Sequence, residues 1–221
     1  MRVLLHSATQ LEVQPILRHF DKIDGDEYGF GNHEIKLLIT GVGMMATAYH
    51  LGKILANEDF DMALSVGICG SLDRDIELTQ AVLAASDLAI EEGAEDGDKW
   101  LSLQDMKLRA ADDFPYQDGL LKSDLAERLS NDLEIPLKKA VSVNRVLGNE
   151  ASIHKVMQHF DAEIVSMEGA AFYYACNMRG LPGAQLRTVS NYVENRDKSA
   201  WKIDDALANL ASNTLKVLKH V

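Results

Sequence analysis

The sequence is poor in cysteine and has no metal-binding motif. Its two cysteines, Cys69 and Cys176, lie far apart, and neither belongs to a CxxC pair or a Cys/His cluster. A disulfide framework and a structural zinc site are therefore not expected. His154 and His159 are five residues apart, unlike the i, i+4 spacing of two metal ligands on a helix. We predict no metal site, and the scarcity of cysteine favours a reducing cytoplasm.

Basic residues are also scarce. The 22 lysines and arginines are outnumbered by 34 aspartates and glutamates, which gives a formal net charge of −12. Phosphate backbones and anionic membrane surfaces are bound through basic side chains. Neither a nucleic acid nor a membrane is therefore an expected partner.

Long hydrophobic runs are absent as well. No apolar run is long enough to span a bilayer, and the run that follows Met1 is too short for the core of a signal peptide. The chain instead has the composition of a soluble globular protein, with 47% hydrophobic and 25% charged residues. Since 221 residues can bury one large core, we predict a single domain over residues 1–221.

Short apolar runs alternate with helical patterns, which predicts an α/β fold. Strands are predicted at residues 3–6, 35–40, 62–66, 80–85, 164–167 and 185–190. Helices are predicted at residues 10–20, 45–56, 123–132, 151–160 and 168–178, and from about residue 199 onward. Residues 91–119 are acidic and contain glycine, and we predict a long loop there.

Polar or glycine-rich segments follow several predicted strands, at residues 6–9, 41–43, 67–71, 167–169 and 190–191. In open α/β sheets, ligands bind beyond the carboxyl ends of the strands, so we expect these segments to converge on one pocket. The segment from Gly41 to Ala46 has the form GxGxxA, but no acidic residue closes the next strand, as a dinucleotide site requires. An NAD-dependent oxidoreductase is thus a disfavoured alternative.

Three polar side chains are candidates for chemistry, and each also has a purely structural interpretation. Glu12 either completes a capping box with Thr9 or acts as a general base on water at the rim of the pocket. Glu168 is either favoured by the dipole of a helix N-terminus or accepts hydrogen bonds from two vicinal ribose hydroxyls. Asn191 is either a loop residue or a donor and acceptor for a purine edge. The residues alone leave these alternatives open.

Taken together, these features resemble the nucleoside phosphorylase/nucleosidase superfamily, especially its methylthioadenosine/S-adenosylhomocysteine nucleosidase branch. Five motifs occur in the family's order: the N-terminal strand and helix with Glu12, a Gly-Val-Gly turn (residues 41–43), the turn at residues 67–71, Met167-Glu168, and Ser190-Asn191. The resemblance covers most of the chain and is weakest at residues 90–140. It implies a three-layer αβα sandwich with a central mixed, twisted sheet, no cofactor, and a homodimer or larger homo-oligomer.

The resemblance also implies hydrolysis of an N-ribosidic bond and assigns roles to matching residues. Glu12 would polarise the attacking water. Glu168 would bind the 2′- and 3′-hydroxyls of the ribose, with Met167 packed beneath the sugar. The remaining residues expected to line the base and ribose are Gly70, Val146 and Ser190.

Asn191 departs from the adenine-specific members of the family, which have an aspartate that protonates N7 of the leaving base. An asparagine can donate Nδ2–H to a 6-oxo group while its Oδ1 accepts from a protonated N7. With adenine the amide would have to flip. The flipped amide would stabilise the bound substrate but oppose the transition state, in which N7 is protonated. A mismatched buried polar pair costs ~1–3 kcal/mol. We therefore predict a hypoxanthine-like base.

Residues 190–201 resemble the futalosine hydrolase family, which acts on the futalosine route to menaquinone. That family has Met-Glu-Gly, Ser-Asn, Arg-Asp and a tryptophan, and all are present here. The resemblance implies that Trp201 stacks on the carboxyphenyl ring of the 5′-substituent and that Arg196 or Lys198 meets its carboxylate. It predicts cleavage of futalosine to hypoxanthine and dehypoxanthine futalosine.

Two alternatives within the superfamily stay open: a methylthioadenosine/S-adenosylhomocysteine nucleosidase and an inosine-type purine nucleoside phosphorylase. Asn191 disfavours the first. A phosphorylase needs basic groups around its phosphate, yet residues 41–45 contain none, and Glu12 would repel the anion. Hydrolysis is therefore favoured over phosphorolysis.

Overall fold

The computed structural model of the protein describes residues 1–195 and 197–221. Within these ranges the strands are β1 (Arg2–Ser7), β2 (Asp21–Asp24), β3 (Glu27–Phe30), β4 (His33–Ile39), β5 (Met62–Ser71), β6 (Ala81–Asp87), β7 (Gly93–Asp96), β8 (Lys99–Ser102), β9 (Leu121–Lys122), β10 (Leu137–Ser142), β11 (Ile164–Ser166) and β12 (Gly183–Tyr192). The helices are α1 (Gln10–Leu17), α2 (Met44–Leu55), α3 (Asp124–Leu133), α4 (Glu150–His159), α5 (Gly169–Arg179) and α6 (Ile203–His220), with a short 3₁₀ helix at Lys198–Ala200.

A mixed sheet forms the centre of the molecule, with the strand order β11-β10-β6-β12-β5-β1-β4-β3-β2. The inner pairs β12–β5, β5–β1 and β1–β4 are parallel, whereas β12–β6 is antiparallel. The sheet curls until β11 pairs with the far end of β5, where Val165 lies opposite Gly70. This closure brings the ends of β5, β11 and β12 together.

Alternate residues of the central strands face two different helical layers, because side chains along a strand point to opposite sides of the sheet. On β1, Leu5 packs in a cluster with α1, α3 and α6, while Leu4 packs in a second cluster with α2 and α5. All of these core side chains are buried, and burying a leucine stabilises the fold by about 1.5–3 kcal/mol. The predicted αβα fold with a central mixed sheet is confirmed.

Two sequence predictions about single segments are wrong, and one hairpin was missed. Residues 67–71 are not a turn but the second half of β5, which pairs with β12 on one side and β11 on the other. The predicted loop at residues 91–119 contains the β7–β8 hairpin. The β2–β3 hairpin was not predicted because β2 is exposed along its whole length, so it has no apolar alternation to reveal it.

Across the two described ranges, no helix has the length and apolar character needed to cross a membrane.

Candidate active site

A cavity of about 300 Å³ lies where β1, β5, β11 and β12 end. Its lining brings together the sequence-predicted residues Glu12, Gly70, Val146, Met167, Glu168, Ser190, Asn191 and Trp201. Arg196, the remaining predicted substrate-binding residue, lies outside the described residues. Residues far apart in the chain thus meet at one edge of the sheet, as expected for an α/β ligand site.

Glu12 stands in the first turn of α1 and also borders the cavity. Its Oε2 accepts hydrogen bonds from the Thr9 amide at 3.1 Å, from Thr9 Oγ1 at 2.7 Å and from Ser7 Oγ at 3.2 Å. The capping box predicted for Thr9 and Glu12 is therefore present. Oε1 accepts from the Ile68 amide at 3.1 Å, and the same carboxylate borders the cavity.

The carboxylate of Glu12 is packed closely against β5. A methyl group added at Gly67 would lie 2.8 Å from Oε1 of Glu12 and 3.3 Å from Nη1 of Arg187. A glycine within a strand often marks such a close approach. Here it leaves room for a buried carboxylate and a buried guanidinium on the same side of the strand.

Glu168 is the N-cap residue of α5, and it lines the same cavity. Burial raises its pKa, and the nearby charge of Glu12 acts in the same direction. The Gly43 amide opposes this shift by donating a hydrogen bond to Oε1 at 2.8 Å. Gly43 has a φ of 101°, a backbone conformation that favours glycine. The Gly-Val-Gly turn therefore supports the cavity through Glu168.

Asn191 follows a β-bulge in β12. The register of β12 against β5 shifts between Val189 and Asn191, so Ser190 is the additional residue and Asn191 lies opposite Gly70. Bulges of this kind re-aim side chains near active sites. Ser190 and Asn191 consequently both line the cavity although they are neighbours in a strand.

The amide of Asn191 is held in one orientation. Nδ2 donates to the Tyr192 carbonyl at 2.9 Å, and Oδ1 accepts from Ser190 Oγ at 2.9 Å. A flipped amide would place Oδ1 against the Tyr192 carbonyl, and two acceptors cannot form a hydrogen bond. Ser190 could adapt to either orientation because its hydroxyl both donates and accepts, but the carbonyl cannot. The Tyr192 carbonyl therefore keeps Nδ2 of Asn191 on its own side and Oδ1 on the side of Ser190.

Trp201 reaches the cavity because the chain around it is tied to β12. The amide of Lys202 donates to the Ser190 carbonyl at 2.8 Å, and the 3₁₀ helix that precedes Trp201 begins at an Asp197 cap. Trp201 is partly buried, whereas Val146, from the loop after β10, is 50% exposed at the cavity rim. The cavity therefore has an aromatic wall on one side and an open aliphatic rim on another.

A polar network beneath the cavity was largely missed by sequence reasoning. Arg187 on β12 is buried and donates from Nη2 to Ser65 Oγ at 2.9 Å and to Gln185 Oε1 at 3.1 Å. Gln185 Nε2 donates in turn to the carboxylate of Asp87 at 3.1 Å, and burial raises the pKa of Asp87 to about 6. The available sequence signal for this network was a glutamine and an arginine two residues apart in a predicted strand.

Comparison with known proteins places the whole chain in one family. The model of the phosphorylase superfamily matches residues 2–221. The chain belongs to the phosphorylase superfamily. The resemblance predicted from the motifs is thereby confirmed.

The chain is similar to several nucleosidases. A futalosine hydrolase from Thermus thermophilus is 32% identical over 186 residues, which cover 82% of this chain and 80% of the relative. An aminodeoxyfutalosine nucleosidase from Helicobacter pylori is 25% identical over 236 residues, covering 97% and 95% of the two chains. The crystal structure of the 5′-methylthioadenosine/S-adenosylhomocysteine nucleosidase from Helicobacter pylori with butyl-thio-DADMe-Immucillin-A matches with a TM-score of 0.80 at 18% identity, covering 100% and 99%.

Proposed function

We propose that this protein is a futalosine hydrolase, which cleaves the N-ribosidic bond of futalosine and releases hypoxanthine and dehypoxanthine futalosine. The observation that carries the proposal is the fixed amide of Asn191 in a cavity that also holds Glu12 and Glu168. Its Nδ2 keeps a second hydrogen for a 6-oxo group, and its Oδ1 keeps a second lone pair for a protonated N7. The 32% identity to a futalosine hydrolase supports the same substrate.

Glu12 activates the water in this reaction. The water oxygen forms a bond to C1′ as the bond from C1′ to the base breaks, and Glu12 accepts the water's proton. Since the amide of Ile68 and the amide of Thr9 both point at the carboxylate, Glu12 is oriented before the substrate arrives. Such preorganised geometry lowers the barrier because no reorientation is needed during the reaction.

Glu168 binds the ribose hydroxyls and places negative charge near the sugar as it becomes cationic. The hydrogen bond from Gly43 holds one carboxylate oxygen in place, so the side chain meets the sugar in a defined position. Stabilisation of charge that develops only in the transition state raises the rate and not merely the affinity. The base leaves with its N7 protonated from solvent, because the amide of Asn191 has no acidic proton to give.

Hydrolysis fits the lining of the cavity better than phosphorolysis. Within residues 1–195 and 197–221, the lining contains no lysine or arginine that could bind an inorganic phosphate. Two carboxylates, Glu12 and Glu168, face the space instead. A dianion placed there would be repelled, whereas a neutral water molecule is not.

The 5′-substituent lies against Trp201 in this proposal. The tryptophan offers a partly buried aromatic surface on which a carboxyphenyl ring can stack. Lys198, which is exposed in the 3₁₀ helix just before Trp201, is available to the substrate carboxylate. The role predicted for Arg196 remains part of the proposal.

The proposal also includes a single domain over residues 1–221 that acts in the cytoplasm as a homodimer or larger homo-oligomer. Exposed apolar side chains on α2 and α5, such as Tyr49 and Met178, support self-association. Both cysteines are unpaired and buried, in keeping with a reducing compartment. Sedimentation of the purified protein tests the oligomeric state.

The function is tested by chromatography of the products after incubation with futalosine, inosine or methylthioadenosine, each with and without phosphate. We expect hypoxanthine from futalosine in the absence of phosphate and little turnover of methylthioadenosine. Adenine released from methylthioadenosine as the main activity, or a strict requirement for phosphate, would overturn the proposal. A Glu12→Gln variant run in parallel shows whether any hydrolysis belongs to this cavity.

A further inference from the structure

His6 is buried one layer behind the cavity and takes no part in the mechanism described above. Its ring stacks on Phe172 of α5, with ring centroids 5.5 Å apart. Nδ1 lies 2.9 Å from Ser65 Oγ, and Nε2 lies 3.1 Å from Thr40 Oγ1. Burial lowers the pKa of His6 to about 3, and the charge of Arg187 acts in the same direction, so the ring is neutral.

The groups around His6 form one continuous chain of hydrogen bonds, and we assign its direction from the buried cation outward. Arg187 can only donate, so Ser65 accepts from it, and the hydroxyl proton of Ser65 is then available to Nδ1 of His6. The neutral ring then carries its proton on Nε2 and donates to Thr40 Oγ1. Thr40 donates in turn to the Gly41 carbonyl at 3.0 Å. Every donor in this chain points from the buried cation toward the Gly-Val-Gly turn.

The far end of this chain is the turn that holds the ribose-binding carboxylate. Gly41 and Gly43 have φ values of 85° and 101°, so the turn has a backbone that few other residues adopt. Its Gly43 amide donates to Oε1 of Glu168 at 2.8 Å. His6 also packs on Phe172, four residues after Glu168, and so contacts both elements that position this glutamate.

We propose that His6 is a positioning residue for Glu168: it links Arg187, through Ser65 and Thr40, to the Gly-Val-Gly turn whose amide fixes the Glu168 carboxylate. The inference rests on the ribose-binding role given to Glu168 in the proposed function. Loss of the link loosens the turn, and the carboxylate then meets the ribose hydroxyls less well. The resulting loss of activity therefore depends on the ribose hydroxyls, which are the part of the substrate that Glu168 binds.

The test compares His6→Phe, which keeps the ring and its stacking, with His6→Gln, which restores a donor and an acceptor. Thr188→Val is the matched control, because Thr188 is buried on β12 beside Arg187 and its hydroxyl donates outside this chain, to the Ala206 carbonyl at 2.9 Å. For each protein, kcat/KM is measured with futalosine and with its 2′-deoxy analogue. A hydrogen bond to a charged group contributes about tenfold to a hundredfold in such a comparison.

We expect His6→Phe to lower the preference for the ribo over the 2′-deoxy substrate by about tenfold, and His6→Gln to recover most of it. Thr188→Val should keep the wild-type preference even if it melts at a lower temperature. If His6→Phe lowered kcat/KM equally for the ribo and the 2′-deoxy substrate, the proposal would be overturned, because a merely structural role produces that result.

Hydrogen exchange at the Gly43 amide tests the same link without activity. We expect faster exchange in His6→Phe than in the wild type and in Thr188→Val, because the turn is anchored only in the latter two. Unchanged exchange in His6→Phe would overturn the inference. If the wild-type protein does not cleave futalosine, the proposed function fails, and the exchange measurement still decides whether His6 anchors the turn.

Discussion

The carboxylate of Glu12 is surrounded by hydrogen-bond donors, and two of them are backbone amides whose direction cannot change. Ile68 N–H donates to one oxygen and Thr9 N–H to the other. A Glu12→Gln side chain must therefore turn its NH₂ group toward one of these amides. We expect kcat to fall by about 10²–10⁴-fold, because the general base is lost, and stability to fall by about 1–3 kcal/mol. Steady-state kinetics and urea unfolding measure the two effects.

Ser123→Ala separates lost stability from lost catalysis. Ser123 caps α3, with Oγ accepting from the Ala126 amide at 3.0 Å, and it does not line the cavity. Losing such a cap costs about 1 kcal/mol. We expect this variant to unfold more easily yet keep its kcat. Near-normal turnover in Glu12→Gln would remove the general-base role from Glu12.

Asn191→Asp tests how the Tyr192 carbonyl controls base preference. An aspartate oxygen placed where Nδ2 now lies would face that carbonyl 2.9 Å away, an arrangement that favours the protonated carboxyl. A protonated carboxyl can give its proton to N7, as a 6-aminopurine leaving group needs. We expect the ratio of kcat/KM for futalosine to that for its 6-amino analogue to fall by about tenfold to a hundredfold. An unchanged ratio would mean that Asn191 does not read the base.

At the scale of the element, β5 carries the site through its glycines. Gly67→Ala would insert a methyl group 2.8 Å from Oε1 of Glu12, closer than real contacts allow, so the carboxylate must move. A displacement near 1 Å costs on the order of 10²-fold in rate, and we expect kcat to fall by about that factor. The matched control is Gly29→Ala on β3, whose added methyl meets its nearest atoms at an ordinary 3.9 Å. Equal kcat values for both variants would contradict a steric role for Gly67.

Much of the element pattern could be predicted from sequence, because strongly apolar strands such as β1 and periodic helices such as α2 carry their own signal. The second half of β5 could not, since Gly67 and Gly70 suggest a turn in any local window. What makes this segment a strand is pairing with Asn191 on β12 and Val165 on β11. That pairing is a tertiary property and has no local signature.

Some residues of the candidate site could also be identified from the sequence, and others could not. Glu12 and Glu168 could be identified because each lies near the N-terminus of a helix that follows a strand, and family motifs surround them. The bulge at Ser190 and the orientation of the Asn191 amide could not be identified, because both depend on the register of β12 against β5. His6 was visible only as a polar residue at a strand end. Its connection to Glu168 runs through Thr40 and the Gly-Val-Gly turn, which lie far from it in the sequence.

At the scale of the whole molecule, the charge of −12 contrasts with the interior, where the buried cation Arg187 is shared by several polar groups. The charge of Arg187 lowers the pKa of Asp87 and of Glu168 and also that of His6. For the carboxylates, burial outweighs this help, so both pKa values remain above their ordinary positions. The buried Arg187 therefore reduces the free-energy cost of burying the charges of Asp87, beneath the cavity, and Glu168, beside it.

This balance gives the stability of the molecule a defined pH dependence. Burial raises the pKa of Asp87 to about 6 from the ordinary 3.8, so its stabilising contribution is present below pH 3.8 and is lost as the pH rises through 6. His6 acts in the opposite sense: its pKa is lowered to about 3, and its contribution is lost as the pH falls below about 6.5. The Asp87→Asn substitution removes the contribution of Asp87 to this pH dependence and keeps that of His6.

Urea unfolding of the wild type and Asp87→Asn between about pH 4.5 and pH 7.5 isolates the carboxylate. We expect the free energy of unfolding of the wild type, relative to the variant, to fall by about 2 kcal/mol over this range, since each pKa unit corresponds to about 1.4 kcal/mol. The difference between the proteins cancels His6 and the surface charges, which both share. A difference that stays constant with pH would show that burial does not raise the pKa of Asp87, because a pKa at or below the ordinary 3.8 produces almost no change above about pH 4.5.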